Sequence, residues 1–75
     1  MTKEEILRQA LIAREEEVLH YQINIDNYLL AIVKADEDPD LTDFAQRLRE
    51  LLSSSIIEQK KAQIMLEVIR DQLEG

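Results

Sequence analysis

Glu17 and His20 have the residue types and spacing best suited to binding a metal ion, with Glu58 as a third candidate ligand. A Glu-x-x-His spacing places a carboxylate and an imidazole one turn apart on the same helix face, which suits a metal site inside a helical bundle. His20 is the only histidine, and no second Glu-x-x-His occurs. We therefore predict no metal and no other cofactor, with Glu17, His20 and Glu58 as the candidate ligands of a degenerate site.

A cluster of carboxylates in the middle of the chain is the second group that could do chemistry. It does not follow the ligand order of an EF-hand, and it lacks the glycine of that loop. Helix capping and solubility account for such a cluster, and so does a surface that attracts a basic partner or imitates spaced phosphates. The members of this acidic tip are Asp36, Glu37, Asp38, Asp40 and Asp43.

Residues for covalent or acid–base catalysis are few. The chain has no cysteine and a single histidine, and the serines at Ser53–Ser55 have no predicted base and third orienting group beside them. Arg14 is expected to form an ion pair within or between hairpins that fixes their register, and Glu58 lies one turn from its predicted facing position. The sequence predicts a protein that is not an enzyme.

The composition narrows the class of partner. Sixteen acidic residues against nine basic ones give a net charge of −7 over 75 residues, which argues against direct binding to nucleic acid, because phosphate contacts require Lys and Arg. The N-terminus lacks the order of a secretory signal, and no apolar run reaches the length of a membrane span. We expect one cytoplasmic domain, residues 1–75, that does not contact a membrane.

Two long helices must position these residues. Thr2 and Glu5 form a capping-box pattern at the start of the first helix, and no glycine or proline follows until the sequence Asp38-Pro39. Asp38 suits an N-cap and Pro39 the first helical position after it. The pattern predicts a first helix over about 3–35, an acidic turn over 36–40 and a second helix over about 39–74.

Each helix carries a coiled-coil seam, in which residues recur at alternating steps of four and three. If the turn centres near Asp38, antiparallel pairing places Tyr21 opposite Ser55 and Tyr28 opposite Leu48, and also Leu11 opposite Leu66 and Arg14 opposite Ala62. The first seam is Leu7, Leu11, Arg14, Val18, Tyr21, Ile25, Tyr28 and Ile32. The second seam is Leu41, Ala45, Leu48, Leu52, Ser55, Gln59, Ala62, Leu66, Ile69 and Leu73.

Apolar residues outside the two seams bear on oligomeric state. The extra rows are Ile12, Leu19, Ile23, Leu30 and Val33 in the first helix, and Leu51, Ile57, Ile64, Met65 and Val68 in the second. An isolated hairpin leaves them in water, so we predict an all-α, coiled-coil-like hairpin that pairs into a homodimeric four-helix bundle. The alternative is a bundle completed by a different protein. The predicted dimer or partner interface is Ile12, Leu19, Ile23, Leu30, Ile57, Ile64 and Val68.

The opening Met-Thr-Lys and the acidic inter-helix turn resemble the Rop family of plasmid copy-number proteins, which are helical hairpins that dimerise into four-helix bundles. That family binds RNA through basic helix faces, so the resemblance implies the fold and not the function. The segments Asp38–Leu41 and Met65–Arg70 are similar to parts of encapsulated ferritin-like hairpins, whose ligand positions do not match here.

These observations together predict a non-catalytic protein–protein interaction module that uses the outer helix faces of a hairpin dimer. An adaptor, a co-chaperone or a small inhibitor fits this description, with a basic protein as partner besides the second copy. The first alternative is a phage- or plasmid-type inhibitor with an acidic surface that mimics nucleic acid. The second is a degenerate ferritin-like metal-binding hairpin.

Overall fold

Two long helices that pack against each other make up almost the whole chain. The computed structural model describes residues 1–75, with α1 at Lys3–Asp36, a 3-10 helix at Pro39–Leu41 and α2 at Thr42–Glu74. There are no strands. The predicted all-α hairpin is confirmed.

The helix ends follow the capping signals in the sequence. The hydroxyl of Thr2 accepts a hydrogen bond from the Glu5 N–H at 3.2 Å, which caps α1. The Asp38 carboxylate accepts one from the Asp40 N–H at 2.9 Å, with Pro39 directly after the cap. Both predicted caps are confirmed, and α1 ends one residue later than expected.

The second helix begins differently from the prediction. The Leu41 N–H donates to the Asp38 carbonyl at 3.0 Å, a three-residue step that makes the first turn a 3-10 helix. The Thr42 hydroxyl donates to the Pro39 carbonyl at 3.1 Å, and the α-helix starts at Thr42. The prediction of one continuous helix from Pro39 is therefore wrong over its first turn.

The two seams form the core, as predicted. Every residue of the first seam is buried or half-buried, and the same holds for the second seam except Leu41, which is exposed in the 3-10 helix. Four of the eight buried residues are small, three alanines and one serine. The buried side chains are those of Ile25, Ala35, Ala45, Leu48, Ser55, Ala62, Leu66 and Ile69.

The register of the hairpin differs from the prediction by about one helical turn. Ala35 lies beside Ala45 at the closed end, and Leu7 lies beside Leu73 at the open end. Facing residues therefore have numbers that sum to about 80, whereas a turn centred on Asp38 gives about 76. The shift arises because the 3-10 helix belongs to the connection, which moves its centre toward α2.

The new register changes which seam residues meet. It brings Ile25, rather than Tyr21, to the level of Ser55, and both Ile25 and Ser55 are buried. Tyr28 still packs against the buried cluster that contains Leu48, together with Ile32. The predicted pairs Tyr21–Ser55, Leu11–Leu66 and Arg14–Ala62 are each displaced by one turn.

The hairpin is a thin rod. Its extents are 56 × 15 × 14 Å and its radius of gyration is 17.0 Å, against about 11 Å for a compact domain of this length. Its accessible surface of 5640 Å² exceeds the roughly 4,800 Å² typical of a folded monomer of this mass. One chain alone therefore leaves an unusual amount of surface in water.

Candidate interaction surfaces

The two carboxylates proposed as metal ligands are engaged in separate ion pairs. Arg14 Nη1 contacts Glu17 Oε2 at 2.8 Å within α1, and Lys61 Nζ contacts Glu58 Oε1 at 2.9 Å within α2. Arg14 forms an ion pair within the hairpin, as predicted, but its partner is Glu17 of its own helix and not Glu58, so the pair does not link the two helices.

His20 lies on the outer surface of α1 and takes part in neither ion pair. It lines a shallow groove with Ile23 and Asn24, all on the same helix, and its side chain is exposed. No three His, Asp or Glu side chains come together in an arrangement that could hold a metal ion. The candidate set Glu17, His20 and Glu58 is not assembled into a site.

The acidic tip has two members with structural roles. Asp36 Oδ2 accepts a hydrogen bond from Arg49 Nη2 at 2.5 Å, which ties α1 to α2 beside the turn. Asp38 caps the 3-10 helix. The remaining carboxylates form no ion pair in the structure and are exposed: Glu37, Asp40 and Asp43.

A row of exposed aliphatic side chains runs along the outer face of α1. At about 100° per residue, it is centred about 150° around the helix from the seam, so it faces away from α2. Each member is about half exposed or more, up to 66% for Leu30. This α1 stripe consists of Ile12, Leu19, Ile23, Leu30 and Val33.

A second apolar row belongs to α2. It runs from the side of the seam to the outer face of the helix, and only Leu51 among its members is half-buried. This α2 stripe consists of Phe44, Leu51, Ile57, Ile64, Met65 and Val68.

The two long sides of the hairpin, where α1 meets α2, differ in polarity. On the polar flank, Arg49 bridges to Asp36, and Gln59 Nε2 donates to Gln22 Oε1 at 2.9 Å. Gln59 also donates to the backbone carbonyl of Val18 at 3.2 Å. These contacts close the polar flank with hydrogen bonds between the helices.

On the apolar flank most side chains that border the seam are apolar, with Glu17, Asn24 and Glu58 among the polar exceptions. Ala10 and Ala31 border it on α1, and Phe44, Leu51 and Met65 border it on α2. The α2 stripe therefore extends from the apolar flank outward.

The two stripes occupy different edges of the rod. Ile12 and Leu19 lie one turn after Arg8 and Glu15, which border the polar flank, so the α1 stripe leans toward that flank. The α2 stripe leans toward the opposite flank. The seven residues predicted to form one interface therefore divide between two surfaces, with Ile12, Leu19, Ile23 and Leu30 on one and Ile57, Ile64 and Val68 on the other.

Several exposed apolar residues were not recognised in the sequence. Phe44 extends the α2 stripe toward the turn, Leu29 and Ile56 border the polar flank, and Ile6 extends the outer face of α1 toward its start. Heptad numbering from the seams marks Leu29, Phe44 and Ile56 as the positions beside the seam. This numbering, applied to all apolar residues, would have identified these three.

Comparison of the chain with protein-family models, with curated proteins and with solved structures gave no match. The resemblance to copy-number hairpins thus rests on architecture and on the short segments named above. Neither α1 nor α2 is at once long and apolar enough to cross a lipid bilayer.

Proposed function

We propose that this protein is a cytoplasmic, non-catalytic protein–protein interaction module that works as a homodimeric four-helix bundle. The observation that carries the proposal is the distribution of its apolar side chains. Fifteen large hydrophobic residues are exposed, whereas the buried core contains seven hydrophobic residues, three of them alanines. A chain that exposes more large apolar groups than it buries gains stability by covering them with protein.

The area of surplus surface supports a dimer. The rod exposes roughly 850 Å² more than a compact monomer of its mass, and each partner in a standard protein interface buries about 800 Å². A second hairpin that packs on the apolar flank would cover the members of the α2 stripe that border it, Phe44, Leu51 and Met65. Ala10 and Ala31 allow that hairpin to approach closely, and a twofold axis closes the assembly as a bundle of four helices.

The polar groups in the surface grooves support a role without catalysis. In the groove beside the turn, Arg49 pairs with Asp36, Asp38 caps a helix and the Thr42 hydroxyl bonds to a backbone carbonyl. None of these groups forms a nucleophile–base pair with an orienting third residue. Binding through a rigid helical surface is the activity that this architecture favours, as in an adaptor, a co-chaperone or a small inhibitor.

Sedimentation equilibrium at micromolar concentration tests the dimer. We expect about twice the chain mass of 8.8 kDa, and we expect Met65→Glu to give a helical monomer, because it places a charge on the apolar flank. Gln46→Glu is the matched control, since Gln46 is exposed on α2 and lies outside the α2 stripe. A well-folded monomeric wild type would contradict the proposal, as would a Met65→Glu protein that dimerises like the control.

A further inference from the structure

The α1 stripe has the spacing of a complete coiled-coil seam. With Glu16 and Asp26 included, its residues recur at alternating steps of four and three from Ile12 to Val33. This run covers three heptads, or about 32 Å of helix. An exposed seam of this length is a suitable surface for an amphipathic helix, because the apolar side chains of such a helix recur at the same heptad spacing.

Most charges beside the α1 stripe are acidic and lack counter-ions, and Lys34, next to Val33 at the end of the stripe, is the one cation there without a salt bridge. Glu15, Glu16 and Asp26 form no salt bridge, and the side chain of Asp26 accepts only a hydrogen bond, from Gln22 at 3.0 Å. The nearby arginines are already paired within α1, Arg8 with Glu4 and Arg14 with Glu17. The stripe therefore presents apolar side chains beside uncompensated carboxylates.

A second α1 stripe is a poor occupant for this surface. In parallel pairing, Glu16 meets Glu16 and Asp26 meets Asp26 of the other copy, and like charges repel. In antiparallel pairing centred on Ile23, each of these acids lies against an aliphatic residue such as Leu19 or Leu30, and a carboxylate is desolvated without a partner.

We infer that the α1 stripe is the docking site for an amphipathic helix of another protein, whose large aliphatic residues pack on the stripe and whose Lys or Arg residues face Glu15, Glu16 and Asp26. The inference rests on the proposed function and specifies the partner of that interaction module. In the proposed dimer the apolar flank is covered and the α1 stripe, on the other edge of the rod, stays open. The acidic surface also speeds the encounter with a basic helix.

The test uses a labelled 21-residue synthetic peptide helix with leucines at coiled-coil spacing and lysines on both sides of them. A matched peptide carries glutamates in place of the lysines. By fluorescence anisotropy at physiological salt, we expect the basic peptide to bind the full-length protein at least about tenfold more tightly than the acidic one. Equal affinities for the two peptides would overturn the inference.

Protein variants separate docking at the stripe from attraction to net charge. Leu19→Ser with Ile23→Ser keeps the charge and should weaken binding of the basic peptide by about tenfold or more, while the protein mass in sedimentation stays that of the wild type. An unchanged affinity would contradict the inference. If this variant no longer forms the dimer, the α1 stripe is covered by a second copy of the chain. The same conclusion follows if the wild type forms an assembly larger than a dimer and the variant forms a smaller one.

The acids of the stripe have a matched control elsewhere on the chain. Glu16→Gln with Asp26→Asn should weaken binding of the basic peptide. Glu67→Gln with Asp71→Asn removes the same charge from α2 and should leave that binding unchanged. Equal weakening by both pairs would show attraction to net charge alone and overturn the inference. A monomeric wild type would refute the proposed dimer, whereas an intact dimer that fails to bind the basic peptide would refute only this inference.

Discussion

Ile25 should be the most sensitive position in α1, because it is the one large side chain that this helix buries, at 8% exposure. Ile25→Ala removes three carbon groups at about 0.8 kcal/mol each, or about 2.4 kcal/mol of transfer free energy. Any cavity that stays open raises the cost toward about 4 kcal/mol. Since a chain of this length has about 4 to 11 kcal/mol of stability, the variant should lose a large share of its free energy of unfolding, and Ile25→Asp should unfold the protein or dissociate it.

Urea unfolding followed by circular dichroism at 222 nm measures this loss, with protein concentration held fixed because a dimer's stability depends on it. Ile12→Ala is the matched control. Ile12 is 56% exposed, and alanine has the higher helix propensity, so the change should be within about 0.5 kcal/mol of the wild type. A cost below about 1 kcal/mol for Ile25→Ala, or an equal cost for Ile12→Ala, would refute the assignment of Ile25 to the core.

Two further predictions concern the turn. Asp38→Ala should lower the free energy of unfolding by about 1 kcal/mol because it removes the cap on the Asp40 N–H, whereas Glu37→Ala should leave it nearly unchanged; equal thermal midpoints for both variants would contradict this. The Asp36–Arg49 pair is 46% exposed on both sides, so a double-mutant cycle should give a coupling below about 1 kcal/mol that falls in high salt, and a larger, salt-independent coupling would contradict it.

The sequence predicted the helices and seams well because their signals are local. Thr2, Asp38 and Pro39 mark helix starts through hydrogen bonds and backbone restrictions that act within a few residues. The four-and-three spacing of the seams likewise depends only on helix periodicity. These features could therefore be identified from one chain without knowledge of its tertiary contacts.

The register could not be predicted in the same way, because it depends on packing between the helices. Ala35 and Ala45 meet next to the turn, and the 3-10 helix at Pro39–Leu41 adds to the connection that the sequence assigned to α2. A one-turn error at this point displaces three of the four predicted facing pairs, whereas Tyr28 still reaches the cluster that contains Leu48. It also places Glu58 farther from the level of Arg14, whose ion-pair partner is Glu17 of its own helix.

The candidate interaction residues were recognised as exposed and apolar, but not as two surfaces. Ile12 and Ile57 were assigned to one interface because both lie outside the seams. Each residue lies to one side of the seam of its own helix. The antiparallel packing of the two helices then decides on which edge of the rod that side lies. That information requires the assembled hairpin.

The nearly equal lengths of α1 and α2 place both ends of the chain at one end of the rod. Lys3 and Leu73 line the same groove, at the opposite end from the turn at Glu37–Asp38. A host protein could therefore carry this hairpin as an insertion in a surface loop, because the chain leaves and returns at nearly the same place. The same proximity makes the protein a good candidate for circular permutation, with a short linker from Gly75 to Met1 and new termini opened at Glu37–Asp38.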